Sequence, residues 1–338
     1  MNVLVTGGAG YIGSHTLIEL YAAGHTAVVV DNLYNSSKES LRRVARIVGV
    51  DEIPFYEADI RDKNKLESVF SDHQFDCCIH FAGLKAVGES VAKPLEYYEN
   101  NISGSIVLYE LMIKYHVNRL VFSSSATVYG DSFTSPLKEE YGRGKTTNPY
   151  GSTKAINEMI IEDIGKANKD FSAIILRYFN PVGAHESGLI GERPNGIPNN
   201  LVPYISDVVV GKLDHLNVFG DDYDTRDGTG VRDYIHVVDL AKAHVLAIEH
   251  AAKQVGVDTI NVGSGNGYSV LEVIKAYEKA SGKKIPYVIS QRRPGDIATC
   301  FADTHKASEL LGFNTKLGIE DMCKDAYNFI KKNPNGIE

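Results

Sequence analysis

The sequence predicts a doubly wound α/β protein: a parallel sheet with helices on both faces, followed by a second, smaller mixed α/β domain. Three observations predict it. Short β-branched runs alternate with longer helical patterns through the first half of the chain, as a parallel sheet with right-handed crossovers requires. A glycine-rich turn, Gly7-Gly8-Ala9-Gly10-Tyr11-Ile12-Gly13, joins the first run to the first helical pattern. The second run ends in an acid, Asp31. Together these mark the Rossmann architecture.

In chain order, residues 3–6, 27–31, 54–58, 77–81, 120–124 and 173–178 read as buried strands. Between them, 14–23, 63–71 and 95–115 carry helical patterns. After Phe179 the texture changes. Residues 181–203 are rich in Gly, Pro and Asn and read as a long loop of the kind that carries binding residues; 221–230 is a second polar loop. Short elements then mix at 233–238, 240–252, 270–281, 306–311 and 319–331. The expected division is a dinucleotide-binding domain over 1–180 and a second domain over 181–338, with later segments free to pack back on the first.

With 338 residues, 43% hydrophobic and 23% charged, the composition is that of a globular protein able to bury a sizeable core. The net charge of -8 and scattered basic residues argue against a nucleic-acid partner. No apolar run reaches the ~18 residues that would span a bilayer, so no membrane partner is expected. The N-terminus shows no secretory pattern, and the four cysteines show no C-x-x-C spacing. A cytoplasmic protein with reduced thiols is the simplest expectation. The eleven histidines show no ligand spacing, so no metal is expected.

Gly7, Gly10 and Gly13 let the chain turn tightly and let backbone N–H groups approach a pyrophosphate at a helix N-terminus. Asp31 is placed to accept from adenosine ribose hydroxyls and to repel a 2′-phosphate, which favours NAD over NADP. Its alternative role is a strand-end cap.

Tyr150 and Lys154 follow Pro149, a residue suited to a helix start. At i and i+4 on a helix they share a face. Upstream, Ser123-Ser124-Ser125-Ala126-Thr127 ends a strand at the edge where open α/β sheets place their ligands. This trio suits removal of a hydroxyl proton together with a hydride. A tyrosine with its ordinary pKa of about 10 is a poor base at neutral pH, and a nearby ammonium and a positive nicotinamide would favour tyrosinate. Ser125 can orient or share the substrate hydroxyl's proton. Alone, a Y-x-x-x-K is common on exposed helices; the glycine turn, Asp31 and the serine-rich strand end raise its weight.

These residues together resemble the extended short-chain dehydrogenase/reductase family, and within it the branch that epimerises UDP-sugars. The likeness continues at Asp59-Ile60, Phe81-Ala82-Gly83-Leu84-Lys85, Asn100, Ser123 to Gly130, Phe179 to Gly183, Pro198-Asn199-Asn200-Leu201, Asp227 to His236 and Arg293-Pro294-Gly295-Asp296. It covers essentially the whole chain. The resemblance implies an isomerase of galactose metabolism that interconverts UDP-galactose and UDP-glucose with tightly bound NAD. It implies that Tyr11, Ile12, Asp31, Asn32, Leu33, Tyr34, Asn35 and Ser36 hold the adenosine half and pyrophosphate. Asp59 and Ile60 would flank adenine. Phe81, Ala82, Gly83, Leu84, Lys85, Asn100, Ser125 and Phe179 would line the rest of the cofactor. Tyr150 would be the base, and Lys154 would hold the nicotinamide ribose and tune Tyr150.

The UDP end would fall to Asn180, Asn200, Leu201, Arg232, Arg293 and Asp296, with Ser125 and Tyr150 meeting the sugar. A diphosphate on an acidic protein needs local cations, and an arginine fork matches phosphate oxygens. Without the resemblance, each arginine reads equally as a solvated surface charge. The small Cys300, where relatives specific for plain hexoses carry tyrosine, raises the hypothesis that UDP-GlcNAc and UDP-GalNAc are also substrates; its alternative role is packing. A homodimer through a helical bundle is expected, with 95–115 and 155–165 as candidates.

Three rival functions compete with this reading. A 4,6-dehydratase needs an Asp-Glu pair after the serine-rich strand end, where Ala126-Thr127 stands. An ordinary dehydrogenase would release reduced cofactor. A non-catalytic NAD-binding regulator has no need of the intact Tyr150 and Lys154. Gly142-Arg143-Gly144-Lys145-Thr146 is no P-loop, because Glu139 stands where its first glycine belongs.

Overall fold

The inner strands of the main sheet are largely apolar on both faces, and that pattern follows from burial between two helical layers. In the computed structural model, which describes residues 1–337 apart from Asn195, Ile197, Pro294 and Gly295, seven parallel strands form this sheet. They are β1 (Asn2–Thr6), β2 (Thr26–Asp31), β3 (Phe55–Glu57), β4 (Cys77–His80), β5 (Arg119–Ser125), β6 (Ser172–Tyr178) and a later strand, β10 (Gly256–Val262). Their spatial order is β10-β6-β5-β4-β1-β2-β3. The order reverses between β1 and β4, and open sheets bind ligands in the crevice at such a switch.

The register sends alternate side chains to opposite layers. Val3 and Val5 join one core with Leu17, Leu20, Leu240 and Ile248; Leu4 joins the other with Leu66, Leu108 and Phe122. The first layer contains α1 (Tyr11–Ala22), α2 (Lys38–Val48) and α9 (Val237–Ala251); the second contains α3 (Lys63–Asp72), α6 (Gly104–Lys114) and α7 (Pro149–Ala167).

Two features differ from the sequence reading. Residues 95–115 are not one regular helix. They run through α5 (Pro94–Tyr98), a π-helical turn (Glu99–Ser103) and then α6. The extra residue of the π turn turns Asn100 and Asn101 inward, where both are buried. A short α4 (Val87–Ala92) precedes them. The second difference is β10, which pairs with β6 although it lies in the second half of the chain. Its sequence GVDTINV mixes polar and apolar residues because it is an edge strand, buried only toward its end.

The remaining segments build a smaller lobe. β7 (Asn180–Val182), β9 (Val231–His236), β11 (Gly267–Ser269) and β13 (Thr299–Cys300) form one sheet. β8 (Leu216–Phe219) pairs with β12 (Tyr287–Ser290). They share a core with α8 (Leu201–Val209), α10 (Val270–Ser281) and α12 (Ile319–Lys332), while α11 (His305–Leu311) packs on α9. No described helix is long and apolar enough to cross a membrane.

Candidate active site

The glycine turn sits at the switch between β1 and β4. Gly7 has φ +73°, and a Cβ there would lie 2.7 Å from the amide nitrogen of Ala82. A Cβ on Gly13 would lie 2.4 Å from the Gly7 carbonyl oxygen. Glycine is required at both for backbone to meet backbone. Helix α1 starts from Gly10, and no described side chain caps it. Its first-turn N–H groups and positive dipole end therefore suit a diphosphate.

Asp31 ends β2 and is buried. Its carboxylate accepts from the Ala9 N–H at 3.1 Å, the Leu33 N–H at 2.9 Å and the Ser36 hydroxyl at 2.9 Å. Burial raises its pKa, and these three bonds oppose that rise. A carboxylate has about four acceptor positions, so one is left on Oδ2. The strand-end cap and the acceptor are thus compatible roles. Asn32 donates to Asp59 at 2.9 Å. Asp59 also takes a two-pronged contact from Arg61, both prongs at 2.8 Å, which holds its carboxyl well below the usual range. Tyr34 and Asn35 are exposed; Ile60 is buried against Gly104.

At the end of β4, residues 81–85 are organised by a residue the sequence reading missed. Asn101 accepts from the Leu84 N–H at 2.8 Å and from the Asn100 amide at 2.8 Å, and it donates to the Leu84 carbonyl at 2.9 Å and the Thr153 hydroxyl oxygen at 3.1 Å. All four capacities of this side chain are used. It ties the 81–85 loop to α7. A π turn opening inward is its only local sign, and that is invisible to helical periodicity. Phe81 packs on His244 at 4.7 Å between centroids. Lys85 reaches Glu192 at 3.1 Å, and the Tyr11 hydroxyl donates to the Gly183 carbonyl at 2.7 Å.

Asn148 caps α7 by accepting from the Gly151 N–H at 2.8 Å, with Pro149 in the first turn. Tyr150 and Lys154 follow, both buried on the helix face turned to β5. Lys154 Nζ donates to the Ser123 carbonyl at 2.6 Å and lies 5.9 Å from the Tyr150 ring centroid. Burial pushes the Lys154 ammonium down to about 8, with Glu158 pulling it back up. Burial pushes the Tyr150 phenol up to about 12, opposed by a hydrogen bond with Ser125. Ser125 Oγ also accepts from Thr127 Oγ1 at 3.0 Å. The expected trio is therefore assembled at the carboxyl edge of β5. The tyrosine's pKa stands above its ordinary value, because desolvation of the phenolate outweighs the Ser125 contact.

The second lobe covers this edge. Phe179 is buried beside Val128, Tyr129 and Ala302, and the half-buried Cys300 packs on the same cluster. Burial pushes the Cys300 thiol up to about 11, so it is neutral. Arg232 is its register partner across β9 and β13. Arg232 donates to the Val231 and Ile297 carbonyls, both at 2.9 Å, and lies 3.5 Å from Asp296. Asn180 donates to the Asp233 carbonyl at 2.9 Å. Asn200 stands exposed at the N-cap of α8, directly before Leu201. Arg293 lies 3.9 Å over the ring centroid of Phe219, an aromatic absent from the sequence reading. Pro294 and Gly295, in the stretch that carries Arg293 and Asp296, lie outside the described residues.

The donor set fits a dinucleotide: a cradle that admits only glycine at its closest approaches, an open helix N-terminus, an acid with a spare acceptor position, and a buried lysine. No cluster of His, Cys, Asp or Glu able to hold a metal occurs among the described residues.

Comparison with known proteins agrees with this geometry. The chain is 58% identical over 338 residues to a UDP-glucose 4-epimerase of Bacillus subtilis, covering 100% of this chain and 99% of the relative. A crystal structure of UDP-glucose 4-epimerase from Bifidobacterium longum in complex with NAD+ and UDP superposes with a TM-score of 0.96 at 56% identity, covering 99% of this chain and 100% of that one. A second, from Stenotrophomonas maltophila with bound NAD and formylated UDP-arabinopyranose, gives 0.95 at 49% identity, covering 98% of each chain. The model of the NAD dependent epimerase/dehydratase family matches residues 3–263, and with that span and these likenesses the chain belongs to this family.

Proposed function

We propose that this chain interconverts UDP-galactose and UDP-glucose by transient oxidation at C4 of the sugar, with NAD held throughout. The observation that carries the reading is the buried Tyr150–Lys154 pair facing Ser123 to Ser125 at the carboxyl edge of β5. The full-length likeness to named UDP-glucose 4-epimerases supports it.

The glycine turn and the N-terminus of α1 would hold the pyrophosphate of NAD, Asp31 the adenosine ribose, and Lys154 the nicotinamide ribose. When bound, NAD would supply the hydride acceptor for C4, the hydride donor once the sugar has turned, and a positive charge that favours tyrosinate. Ser125 orients the 4-hydroxyl, Tyr150 takes its proton, and Tyr150 returns that proton when the 4-keto sugar is reduced. Between these steps the sugar turns about its bond to UDP and presents its other face. Inversion therefore requires a firm hold on UDP and a loose hold on the hexose. Arg232, Arg293 and the N-terminus of α8 hold the diphosphate. Around the hexose stand small or interchangeable groups: Ser125, Ala126, Thr127 and Cys300.

Cys300 leaves room beside the sugar's C2 substituent, and this extends the proposal to UDP-GlcNAc and UDP-GalNAc. The exposed apolar residues Ile106 and Ile113 on α6 and Met159 on α7 lie on the two helices expected to dimerise, and they support a homodimer. A cytoplasmic location and a division near residue 180 into NAD-binding and UDP-sugar-binding lobes complete the reading, with β10 returning to the first lobe.

The test uses purified protein without added NAD and UDP-galactose carrying deuterium at C4. The expected product is UDP-glucose with the label retained at C4. Tyr150→Phe should slow conversion by about 10²–10⁴-fold while UDP still binds. Label lost to solvent, or wild-type turnover by Tyr150→Phe, would overturn the mechanism.

A further inference from the structure

The end of β5 is tied to α7 at two successive residues. Lys154 donates to the Ser123 carbonyl at 2.6 Å, and the Ser124 hydroxyl donates to Oε1 of Glu158 at 2.6 Å. Glu158 stands one helical turn beyond Lys154, and Lys154 one turn beyond Tyr150. One helix face thus meets Ser123, Ser124 and Ser125 with three side chains in a fixed register.

Glu158 is itself held. Arg177, the cross-strand partner of Ser124 on β6, donates Nε to Oε1 at 2.9 Å and Nη2 to Oε2 at 2.6 Å. Its Nη1 donates to the Gly142 carbonyl at 3.2 Å, and its guanidinium lies 4.7 Å from the Tyr129 ring centroid. Arg143 approaches Oε2 at 3.5 Å. Ser124, Glu158 and Arg177 are all buried. A buried ion pair stabilises a fold little compared with apolar residues of similar size. Its place next to the reacting groups calls for another reason.

We propose that Glu158 is a positioning residue for the C4 reaction: anchored by Arg177, it locks Ser124 to α7 and so fixes Ser125 in register with Tyr150 and Lys154. The inference rests on the oxidation–reduction reading given above and adds a residue to its machinery. Glu158 has a second effect, on charge. Lys154 is faced by Tyr150 and Glu158 from its own helix, by the Ser123 carbonyl and the Phe122 ring from β5, and by His80 from β4, with Tyr178 of β6 close to Tyr150. Among these groups Glu158 favours the ammonium form.

The experiment uses the enzyme as purified with its nucleotide. Ser124→Ala removes the tie and leaves Glu158 paired with Arg177. A double variant, Glu158→Leu with Arg177→Met, replaces the ion pair with apolar residues of similar volume. Both are expected to melt cooperatively, to retain NAD and to keep KM for UDP-galactose within about twofold, while kcat falls on the order of tenfold, the scale of a sub-ångström misplacement. In the double variant the alkaline limb of the kcat profile should move to lower pH, because Lys154 loses the carboxylate that keeps it charged; in Ser124→Ala it should stay. Unchanged kcat in Ser124→Ala overturns the proposal, and that variant decides the matter if the double one fails to fold. A wild-type enzyme that epimerises nothing would instead sink the reading on which the proposal rests.

Discussion

Replacing Lys154 by methionine should stabilise the folded chain, and most strongly at neutral pH. The ammonium is buried, and burial pushes its pKa from 10.5 down to about 8. A gap of that size disfavours folding at pH 7 by about 3 kcal/mol, at about 1.4 kcal/mol per unit. Methionine keeps most of the apolar stem and removes the charge. It also removes the bond to the Ser123 carbonyl, which offsets about 1 kcal/mol. The sign with pH follows from linkage. Between about 8 and 10.5 the unfolded chain holds a proton on this lysine that the folded chain has lost, so wild-type stability gains from this group as pH rises. By pH ~9.5 the lysine's remaining penalty is about 1 kcal/mol, so the advantage of Lys154→Met should shrink by about 2 kcal/mol. The assay is urea unfolding of nucleotide-stripped wild type and variant at both pH values. Taking the difference cancels the thiols of Cys77, Cys78, Cys300 and Cys323, all raised by burial, and the tyrosines other than Tyr150. A difference between the two proteins that is the same at both pH values would refute a buried, depressed lysine. Activity should be lost in the same variant, so this residue trades stability for chemistry.

Two further outcomes follow from named environments. Cys300→Tyr should lower kcat/KM for UDP-GalNAc at least tenfold and spare UDP-galactose, since a phenol beside Phe179 fills space that only the acetamido group needs; equal losses on both sugars, measured by product analysis, would count against that placement. His15 and His80 are pushed down to about 3 and His244 to about 4 by burial, so the unfolded chain binds protons below pH ~6.5 that the folded chain refuses. Stability should therefore fall as pH drops from ~6.5 toward 4, by about 1.4 kcal/mol per pH unit for each histidine. His244→Gln should remove about a third of that slope, read from urea midpoints at pH 6.5 and 5.

The parts of this protein that sequence made legible are those where chemistry and local structure coincide. The glycine turn is readable because only glycine tolerates the approach of Gly7 to Ala82. Tyr150 and Lys154 are readable because one helical turn places both on one face. What stayed hidden depends on partners far apart in the chain. β10 carries polar residues because it pairs on one side only, and nothing near residue 256 announces that β6 lies beside it. Asn101 owes its four bonds to a π turn that a 3.6-residue pattern reads as ordinary helix. Glu158 lies four residues beyond Lys154 on the same face and could have been noticed. Its meaning, however, comes from Ser124 and Arg177 on two strands. Phe219, at the end of β8, and Arg293 meet although 74 positions apart in number, and no spacing announces the contact.

The same burial acts on Tyr150 and Lys154 in opposite directions, and the magnitudes decide what the base requires. Burial, opposed by the Ser125 hydroxyl and with no contribution from Lys154, pushes the phenol up to about 12, some five units above neutrality, which corresponds to about 7 kcal/mol. Keeping Lys154 charged, 5.9 Å from the tyrosine ring, contributes about 3 kcal/mol at an effective dielectric of ~20, or about two units. The Ser125 hydrogen bond is already included in the phenol's value. Lysine alone therefore leaves the tyrosine near its ordinary pKa. About three units, or about 4 kcal/mol, then remain between the tyrosine and neutrality, more than lysine supplies. On the proposed reading, the positive charge of bound oxidised nicotinamide would act in the same direction as Lys154 and would make Tyr150 a stronger base than it is in the chain alone. Proton removal would in this way be favoured in the state in which the hydride has somewhere to go.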